Sequence, residues 1–389
     1  MIIGGCRENA AASSFFIVFL VRLVIFVYNR YITPLREREK EKPDMDMLEF
    51  LKKVTAVPGV TGNEGEAARF IAEAFRPLCD EVTIDRMNSV ICHKKGSGPR
   101  VIICAHLDEI GMMVSKIEED GCLRLKNVGG VDPRVLPGMR VRVYGTQPLT
   151  GVVGAKAPHL LSDREKEENY TFDTLFVDMG MSAEKVKQLV RPGDTVCFEH
   201  RYTELKNGFV SVKTCDDRAC VAMMLGALQL LQDTKHEADL WFVATCQEEI
   251  GSWGAMTSAF GIEPEWAVAF DVCHALMPGS PKFRARESDS LVVSKGPYLN
   301  PLMVSRLEET AEDENIRLQT AICPRSTATD ADELAVTRGG IPAVLISLPL
   351  RYMHTNVETC DTRVLKDGAR LLAAFLRRVN AGWEDELWN

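Results

Sequence analysis

Side chains able to bind metal ions follow five apolar, strand-like segments of this 389-residue sequence. The segments RVIICA, FVSVKTC, LWFVATC, WAVAF and AVLISLPLRYM lead, in that order, to His106, Asp216, Glu249, Asp271 and His354. In an open α/β sheet the carboxyl ends of the strands form the ligand crevice, so we expect these side chains at one rim. Imidazoles and carboxylates together suit Zn²⁺, Co²⁺ or Mn²⁺.

Each of these residues, taken alone, has an ordinary structural explanation. A single histidine is usually solvated or hydrogen-bonded, adjacent glutamates usually lie on an exposed face, and an aspartate after a strand usually caps a helix. Five such coincidences at five strand ends are much less probable than one. The set of two imidazoles and three to four carboxylates therefore favours a metal site.

Charge balance favours two cations in that site. Asp216, Glu249 and Asp271 supply three negative charges, and a fourth carboxylate or a hydroxide would balance the four positive charges of two divalent ions. Because a carboxylate has two oxygens, Asp216 can bridge both ions, which leaves His106 and Asp271 for one and Glu249 and His354 for the other. Two metals ~3.5 to 4 Å apart are the arrangement of hydrolytic aminopeptidases.

Two further acidic residues lie beside the predicted ligands. Asp108 is two positions after His106, and residues i and i+2 of an extended chain share a face, so Asp108 can orient the imidazole. A surface acid is the equally weighted alternative. Glu248 points differently from its neighbour Glu249, and we predict that it is the general base that takes a proton from the attacking water.

The elements that must position these residues alternate along the chain. From Met47 onward, helical and strand-like hydrophobic patterns follow one another, which predicts an α/β fold. Residues 113–206 differ, because their short β-branched runs are broken by glycine and proline, as in VGGVDPRVLPGMRVRVYG. This pattern predicts a small β-rich domain inserted between two parts of a catalytic domain, residues 47–112 and 207–389.

Composition and charge narrow the class of protein. With 46 Lys and Arg against 55 Asp and Glu, the formal charge is -9, so the average surface repels a phosphate backbone and nucleic acid is not an expected partner. The 12 cysteines include no CxxC pair and no compact disulfide module. We therefore expect reduced thiols and a cytoplasmic protein.

The first 46 residues form an N-terminal extension with an apolar run, Phe15–Tyr28. The run is shorter than the ~20 residues that a helix needs to cross a bilayer, and Arg22 near its middle costs roughly 2.5 to 3.5 kcal/mol. The basic residues follow the run, unlike those of a secretory signal. The segment is either a weak anchor or, as we favour, absent from the working protein that starts at Met45 or Met47. Membrane contact is expected only if it is retained.

The sequence from Met47 to about Asn380 resembles the dinuclear metallo-aminopeptidases that include glutamyl and deblocking aminopeptidases and the tetrahedral (TET) peptidases. Some members of this family carry the label cellulase M or endoglucanase M. The matching segments are AHLDEIG, GAKAPHLLS, LFVDMGMS, VRPGDTV, CDDRAC, QEEIG, DVCHA, KGPYLNP, TDADELA and GGIPAVLISLPLRYMHTNVE.

The resemblance implies the same site residues: the five ligands named above, Glu248 as base and Asp108 beside His106. It also implies a zinc-peptidase-like three-layer αβα domain, two Zn or Co ions, and a PDZ-like small β-barrel in the insertion that pairs subunits. Dimers of such subunits would build a homo-oligomer as large as a hollow dodecamer.

Four cysteines near the predicted site depart from what we expect of the family, and a thiolate ligand is one interpretation of them. Small buried apolar side chains are the favoured interpretation, because the carboxylate and imidazole set is already complete. The four residues are Cys215, Cys220, Cys246 and Cys273.

The function predicted from these observations is a metallo-aminopeptidase that hydrolyses N-terminal residues from short peptides through a two-metal-activated water. One alternative is a related dinuclear amidohydrolase, a dipeptidase or N-acyl deacylase, in which the extra domain would follow the paired glutamates. In this sequence the insertion separates His106 from Asp216. A glycosidase without metal, or a membrane-tethered binding shell without catalysis, are the remaining alternatives.

Overall fold

A mixed eight-stranded sheet forms the centre of the computed structural model, which describes residues 46–232 and 234–387. The apolar run at 15–28 lies outside the described residues. The strands are β1 (Glu81–Ile84), β2 (Val90–Lys94), β3 (Arg100–His106), β4 (Gly111–Ile117), β5 (Leu123–Val128), β6 (Arg140–Tyr144), β7 (Pro148–Ala155), β8 (Leu175–Asp178), β9 (Thr195–Phe198), β10 (Thr203–Glu204), β11 (Phe209–Ser211), β12 (Asp239–Thr245), β13 (Trp266–His274), β14 (Leu291–Lys295), β15 (Leu318–Ile322), β16 (Ala343–Leu350) and β17 (Thr359–Asp361).

Helices cover the sheet in two groups. In one group, helix α5 packs on β3 and β13 and is contacted by α1 and α9. In the other group, α6 and α8 contact each other and cover β12, β13 and β16. The helices are α1 (Met47–Val54), α2 (Gly65–Phe75), α3 (Asp163–Glu167), α4 (Ala183–Leu189), α5 (Cys215–Leu230), α6 (Trp253–Ile262), α7 (Pro301–Asp313), α8 (Asp330–Val336), α9 (Thr362–Leu376) and α10 (Trp383–Glu386).

Four neighbouring strands of the sheet run parallel, in the order β12, β3, β13 and β16. Helices bury both faces of these strands, which accounts for their nearly continuous apolar sequence. Their carboxyl ends therefore meet at one edge of the sheet. His106 is the last residue of β3, and Thr245 at the end of β12 is its register partner.

The segment between β3 and β10 forms a closed six-stranded barrel in the order β4-β5-β8-β7-β6-β9. Alternate side chains of these strands point inward and pack with Leu136 and Val186 into a separate apolar core. The predicted α/β fold with a small inserted barrel is thus confirmed. The PDZ-like description and the division of the chain at residues 113 and 206 stay predictions.

A buried ion-pair network ties three segments together below the edge where the parallel strands end. Arg218 of α5 is fully buried. It donates hydrogen bonds to the backbone oxygen of Leu107, which follows β3, and to that of Val54, the last residue of α1. Its guanidinium also lies 3.8 Å from the Glu109 carboxylate, which pairs with buried Lys213. The loop after β3 is therefore fixed against the start of α5.

Within residues 46–232 and 234–387, no helix has both the length and the apolar character needed to cross a membrane.

We expect Arg218→Met to lower the free energy of unfolding by more than about 3 kcal/mol, because it removes one partner of a buried ion pair and leaves buried carbonyls without donors. Urea unfolding measures the loss. Arg317→Met is the matched control, since Arg317 forms an exposed ion pair with Asp289 and should change stability by about 0.5 kcal/mol or less. Equal losses in the two variants would contradict the structural role of Arg218.

Candidate metal centre

The five predicted ligands meet at the carboxyl edge of the parallel strands. His106 ends β3 and Asp271 lies on β13, so the sheet itself places these two. Glu249 belongs to a short 3₁₀ turn after β12, Asp216 lies in the irregular first turn of α5, and His354 follows β16 in a loop. Helix α5 and two loops thus complete a site that two strands begin.

Asp216 lies between the two histidines and directs one oxygen to each. Its Oδ1 is 3.0 Å from Nε2 of His106, and its Oδ2 is 3.3 Å from Nε2 of His354. Nε2 of His354 is also 3.5 Å from Oε1 of Glu249. One Asp216 oxygen therefore faces each histidine, an arrangement compatible with a carboxylate that would bridge two cations.

Among the described residues, three groups of candidate ligand atoms occur here, and within each group all the atoms lie within 4.8 Å of one another. One group contains His106, Asp216 and Asp271, and another contains Asp216, Glu249 and His354. The division of ligands between two ions that was predicted from charge balance has the same membership. The third group joins His106 and Glu249 with Glu248, whose Oε2 lies 3.9 Å from Nε2 of His106.

Asp108 is fully buried beside His106, so the surface-acid alternative is wrong. Its Oδ1 lies 3.5 Å from Nδ1 of His106, and its backbone oxygen lies 3.2 Å from the same nitrogen. The carboxylate also accepts hydrogen bonds from the backbone N–H groups of Glu248 and Glu249, at 3.1 and 3.3 Å. Asp108 therefore contacts both the first predicted ligand and the turn that carries the paired glutamates.

Three other buried carboxylates around the site were not predicted from the sequence. Asp217 accepts a hydrogen bond from the backbone N–H of His106, and Glu358 accepts them from Asp216 and His354. Oδ2 of Asp330 accepts a hydrogen bond from the hydroxyl of Thr245, with an oxygen–oxygen distance of 2.6 Å. No comparable sequence signal marks these residues, because each has a hydrogen-bond partner that is remote in the chain and that no sequence period identifies.

Burial raises the pKa values of the carboxylates in the site. The pKa of Glu248 rises to about 9 and that of Glu249 to about 7, in each case mainly because burial disfavours the charged form. The pKa of Asp271 is also raised by burial and by neighbouring carboxylates. Positive charge placed among these groups would offset that cost.

Asp216 and the two histidines shift one another's pKa in opposite directions. Burial alone raises the pKa of Asp216, but hydrogen bonds to His106 and His354 bring it well below its usual range. Burial alone lowers the pKa of His354, but the hydrogen bond to Asp216 and the charge of Glu249 raise it to about 9. The surrounding carboxylates therefore favour positive charge at the positions where cations would bind.

The donor set fits divalent cations. Carboxylate oxygens and imidazole nitrogens converge from five segments, and one oxygen each of Asp217 and Asp330 is buried without a hydrogen-bond partner. Such unpaired buried oxygens are rare in the absence of an ion or ordered water. Borderline metals such as zinc and cobalt prefer this mixture of nitrogen and oxygen donors.

The cysteines near the site lie outside these ligand groups in the described part of the chain. Cys215, Cys220 and Cys246 are fully buried, and Sγ of Cys215 lies 3.9 Å from Sγ of Cys360. Burial raises the pKa of the Cys220 thiol, and the hydrogen bond with Cys360 together with burial raises that of Cys215, so both thiols favour the neutral form. Their burial supports the interpretation as small apolar side chains.

A cavity of about 850 Å³ opens directly onto the candidate ligands. Its floor contains Asp216, Glu248, Glu249 and Asp271, and its outer wall includes the exposed side chains of Phe283 and other loop residues. A volume of this size accommodates a short peptide. The site is therefore accessible to a substrate of several residues.

Two of the solved structures that this chain resembles are peptidases of the TET type. The structure of a TET aminopeptidase from a marine sediment Thaumarchaeota archaeon matches with a TM-score of 0.84 and 27% identity, over 88% of this chain and 98% of that one. The TET1 peptidase of Pyrococcus horikoshii matches with a TM-score of 0.77 and 28% identity, over 86% and 100% of the two chains. The fold and the site together define an aminopeptidase-type metallopeptidase.

Sequence comparison identifies the family. The model of the M42 glutamyl aminopeptidase family matches residues 88–371. The lysyl aminopeptidase of Pyrococcus furiosus is 35% identical over 337 residues, which cover 85% of this chain and 97% of that protein. The chain therefore belongs to the M42 glutamyl aminopeptidase family, and the predicted resemblance is confirmed.

Zinc or cobalt should stabilise the metal-free chain by about 2.7 kcal/mol when the free ion is present at 100 times its Kd. We expect Asp216→Ala to lose most of this gain, because Asp216 belongs to two of the ligand groups. Unfolding with and without the ion measures the gain for each variant against its own metal-free state. Asp173→Ala, at an exposed residue of the barrel, should keep the full gain. An undiminished gain in Asp216→Ala would contradict the assignment.

Proposed function

We propose that this protein is a metal-dependent aminopeptidase that removes N-terminal residues from short peptides. The observation that carries the proposal is the placement of Asp216 between two ligand groups, each completed by one histidine and one carboxylate. His106 and Asp271 would hold one ion, and Glu249 and His354 the other. Zinc or cobalt fits this donor set.

In hydrolytic sites of this kind, the chemistry that two divalent cations supply is polarisation of the scissile carbonyl and acidification of the attacking water. Glu248 supplies the proton transfers. Its carboxylate lines the cavity beside the ligands, takes a proton as the water oxygen bonds to the carbonyl carbon, and donates it to the leaving nitrogen as the C–N bond breaks. The products are a free amino acid and a peptide one residue shorter.

Asp108 serves this chemistry by holding groups in place. Its carboxylate accepts hydrogen bonds from the backbone N–H groups of Glu248 and Glu249 and lies next to Nδ1 of His106. Asp108 therefore fixes the base and one ligand relative to each other. A carboxylate next to a ligand histidine also sets the tautomer that leaves Nε2 free to bind metal. Nε2 of His106 is the nitrogen that faces Asp216.

The position of the barrel favours an aminopeptidase over a related dipeptidase or N-acyl deacylase. The barrel lies between β3, which carries His106, and α5, which carries Asp216. A glycosidase that uses two carboxylates without metal would have no need of two histidines among them. The first observation favours an aminopeptidase among the dinuclear amidohydrolases, and the second favours a metal-dependent hydrolase over a glycosidase.

An assay is needed to identify the side chain that the enzyme prefers at the cleaved residue. The names of its relatives indicate N-terminal residues of opposite charge. The family model is described as glutamyl aminopeptidase, and the Pyrococcus furiosus relative is a lysyl aminopeptidase. A panel of Glu, Asp, Leu and Lys chromogenic amides on metal-reconstituted enzyme tests activity and selectivity together.

We also propose that the protein acts as a cytoplasmic homo-oligomer whose barrel domains pair subunits into dimers, up to a dodecamer. The Pyrococcus horikoshii TET1 peptidase can assemble into a tetrahedron or a large octahedral shell. The cysteines of the described residues are free thiols, which supports a reducing compartment. Light scattering coupled to gel filtration measures the assembly size.

Removal of bound metal should abolish peptide cleavage, and added zinc or cobalt should restore it. The reason is that polarisation of the scissile carbonyl and acidification of the attacking water are the chemistry that two divalent cations would supply. Hydrolysis of the chromogenic amides is followed before chelation, after chelation and after reconstitution, with metal content determined at each stage. Full peptide cleavage by metal-free protein, or cleavage of a glucan instead, would contradict the proposal.

We expect Glu248→Gln to retain its metals and to lose roughly 10² to 10⁴ in turnover, because the amide cannot accept the proton of the attacking water. Steady-state kinetics and metal analysis of the same preparation separate the two effects. Glu263→Gln is the control, since Glu263 forms an exposed ion pair with Arg338 outside the cavity. Wild-type turnover in Glu248→Gln would remove this residue from the mechanism.

A further inference from the structure

A single buried carboxylate, that of Glu358, connects two of the candidate ligands through their backbones. Oε1 of Glu358 accepts the N–H of His354 at 3.0 Å, and Oε2 accepts the N–H of Asp216 at 3.1 Å. The residue is only 2% exposed. Asp216 precedes Glu358 by 142 residues, so this side chain joins segments that are remote in sequence.

The backbone around Glu358 is itself anchored. The residue directly precedes β17, which pairs with β11 in antiparallel register, and its backbone oxygen accepts the N–H of Val212 at 2.9 Å. Strand β11 ends at Ser211, shortly before α5 begins at Cys215. The carboxylate is thus presented from a fixed strand pair next to the segment that carries Asp216.

His354 needs such an anchor because its backbone is in an unfavourable conformation. Its φ angle is 62°, and that of Tyr352 in the same loop is 58°. Residues other than glycine adopt this left-handed region only when surrounding contacts hold them there. The hydrogen bond from the His354 N–H to Glu358 is one such contact. In this conformation Nε2 of the imidazole lies 3.3 Å from Oδ2 of Asp216.

We propose that Glu358 is a positioning residue that holds Asp216 and His354 at the spacing needed to share a divalent cation. The inference rests on the metal site of the proposed function. It extends that site, because Glu358 itself contributes no atom to the three ligand groups and acts only through the two backbone N–H groups.

The chemistry of the side chain makes the proposal testable. A carboxylate accepts at both oxygens, whereas the amide of glutamine accepts at one end and donates at the other. Glu358→Gln therefore keeps the size of the side chain but sets an NH₂ group against one of the two backbone N–H groups. One ligand must then shift.

The matched control is Asp361→Asn, three residues further along the same segment. Asp361 is equally buried and also accepts a backbone N–H, that of Arg363, but it caps α9 and contacts no candidate ligand. Asparagine caps helices about as well as aspartate. The control thus removes a buried negative charge nearby without touching Asp216 or His354.

The experiment compares zinc affinity, by competition with a chelator, and the visible absorption spectrum of the cobalt-loaded protein. We expect Glu358→Gln to bind zinc about 10- to 100-fold more weakly than wild type and to show an altered cobalt spectrum. Asp361→Asn should match wild type in both. Unchanged affinity and spectrum in Glu358→Gln, or the same loss in Asp361→Asn, overturns the proposal.

A second variant covers the case in which Glu358→Gln does not fold. Glu358→Asp keeps the charge but withdraws the carboxylate by one methylene, so it should also weaken zinc binding and alter the cobalt spectrum. Wild-type zinc affinity and a wild-type cobalt spectrum in Glu358→Asp would overturn the proposal. Wild-type protein provides the separate test of the metal site. If it binds no metal, the proposed function fails, whereas metal binding that is insensitive to Glu358 removes only this inference.

Discussion

The structure depends on the compensation of buried negative charge at one edge of the sheet. Asp108, Asp216 and Asp271 are each at most 6% exposed, and the paired glutamates lie beside them. Each of the three candidate ligand groups found among the described residues contains one imidazole and two carboxylates. Carboxylates this close together stay ionised in a folded protein only with added positive charge, which divalent cations would supply.

The fold brings these charges together in layers. Parallel strands end at a common edge and provide His106 and Asp271, while α5 and the loops supply the other candidate ligands. Behind them, a second set of carboxylates binds backbone N–H groups and not the candidate metal positions, as Asp217 does for His106. Beneath both lies the ion pair of Glu109 with Lys213.

Sequence reasoning predicted where a residue lies when its position follows from a strand, whereas the roles of the site residues stay predictions. His106 and Asp271 could be predicted because apolar runs end at them, and the barrel because alternating β-branched runs predict short strands. Glu358 could not, because its role depends on the directions of two backbone N–H groups in separate loops. The barrel's strand order, with β8 between β5 and β7, is likewise set by long-range pairing that local patterns do not encode.

The most direct test of the two-cation site is anomalous X-ray diffraction at the zinc absorption edge from crystals of the zinc-loaded protein. Two anomalous peaks are predicted about 3.5 to 4 Å apart. One should lie between His106 and Asp271, the other between Glu249 and His354, with an Asp216 oxygen next to each. A single peak among these residues, or zinc bound only elsewhere on the chain, would contradict it.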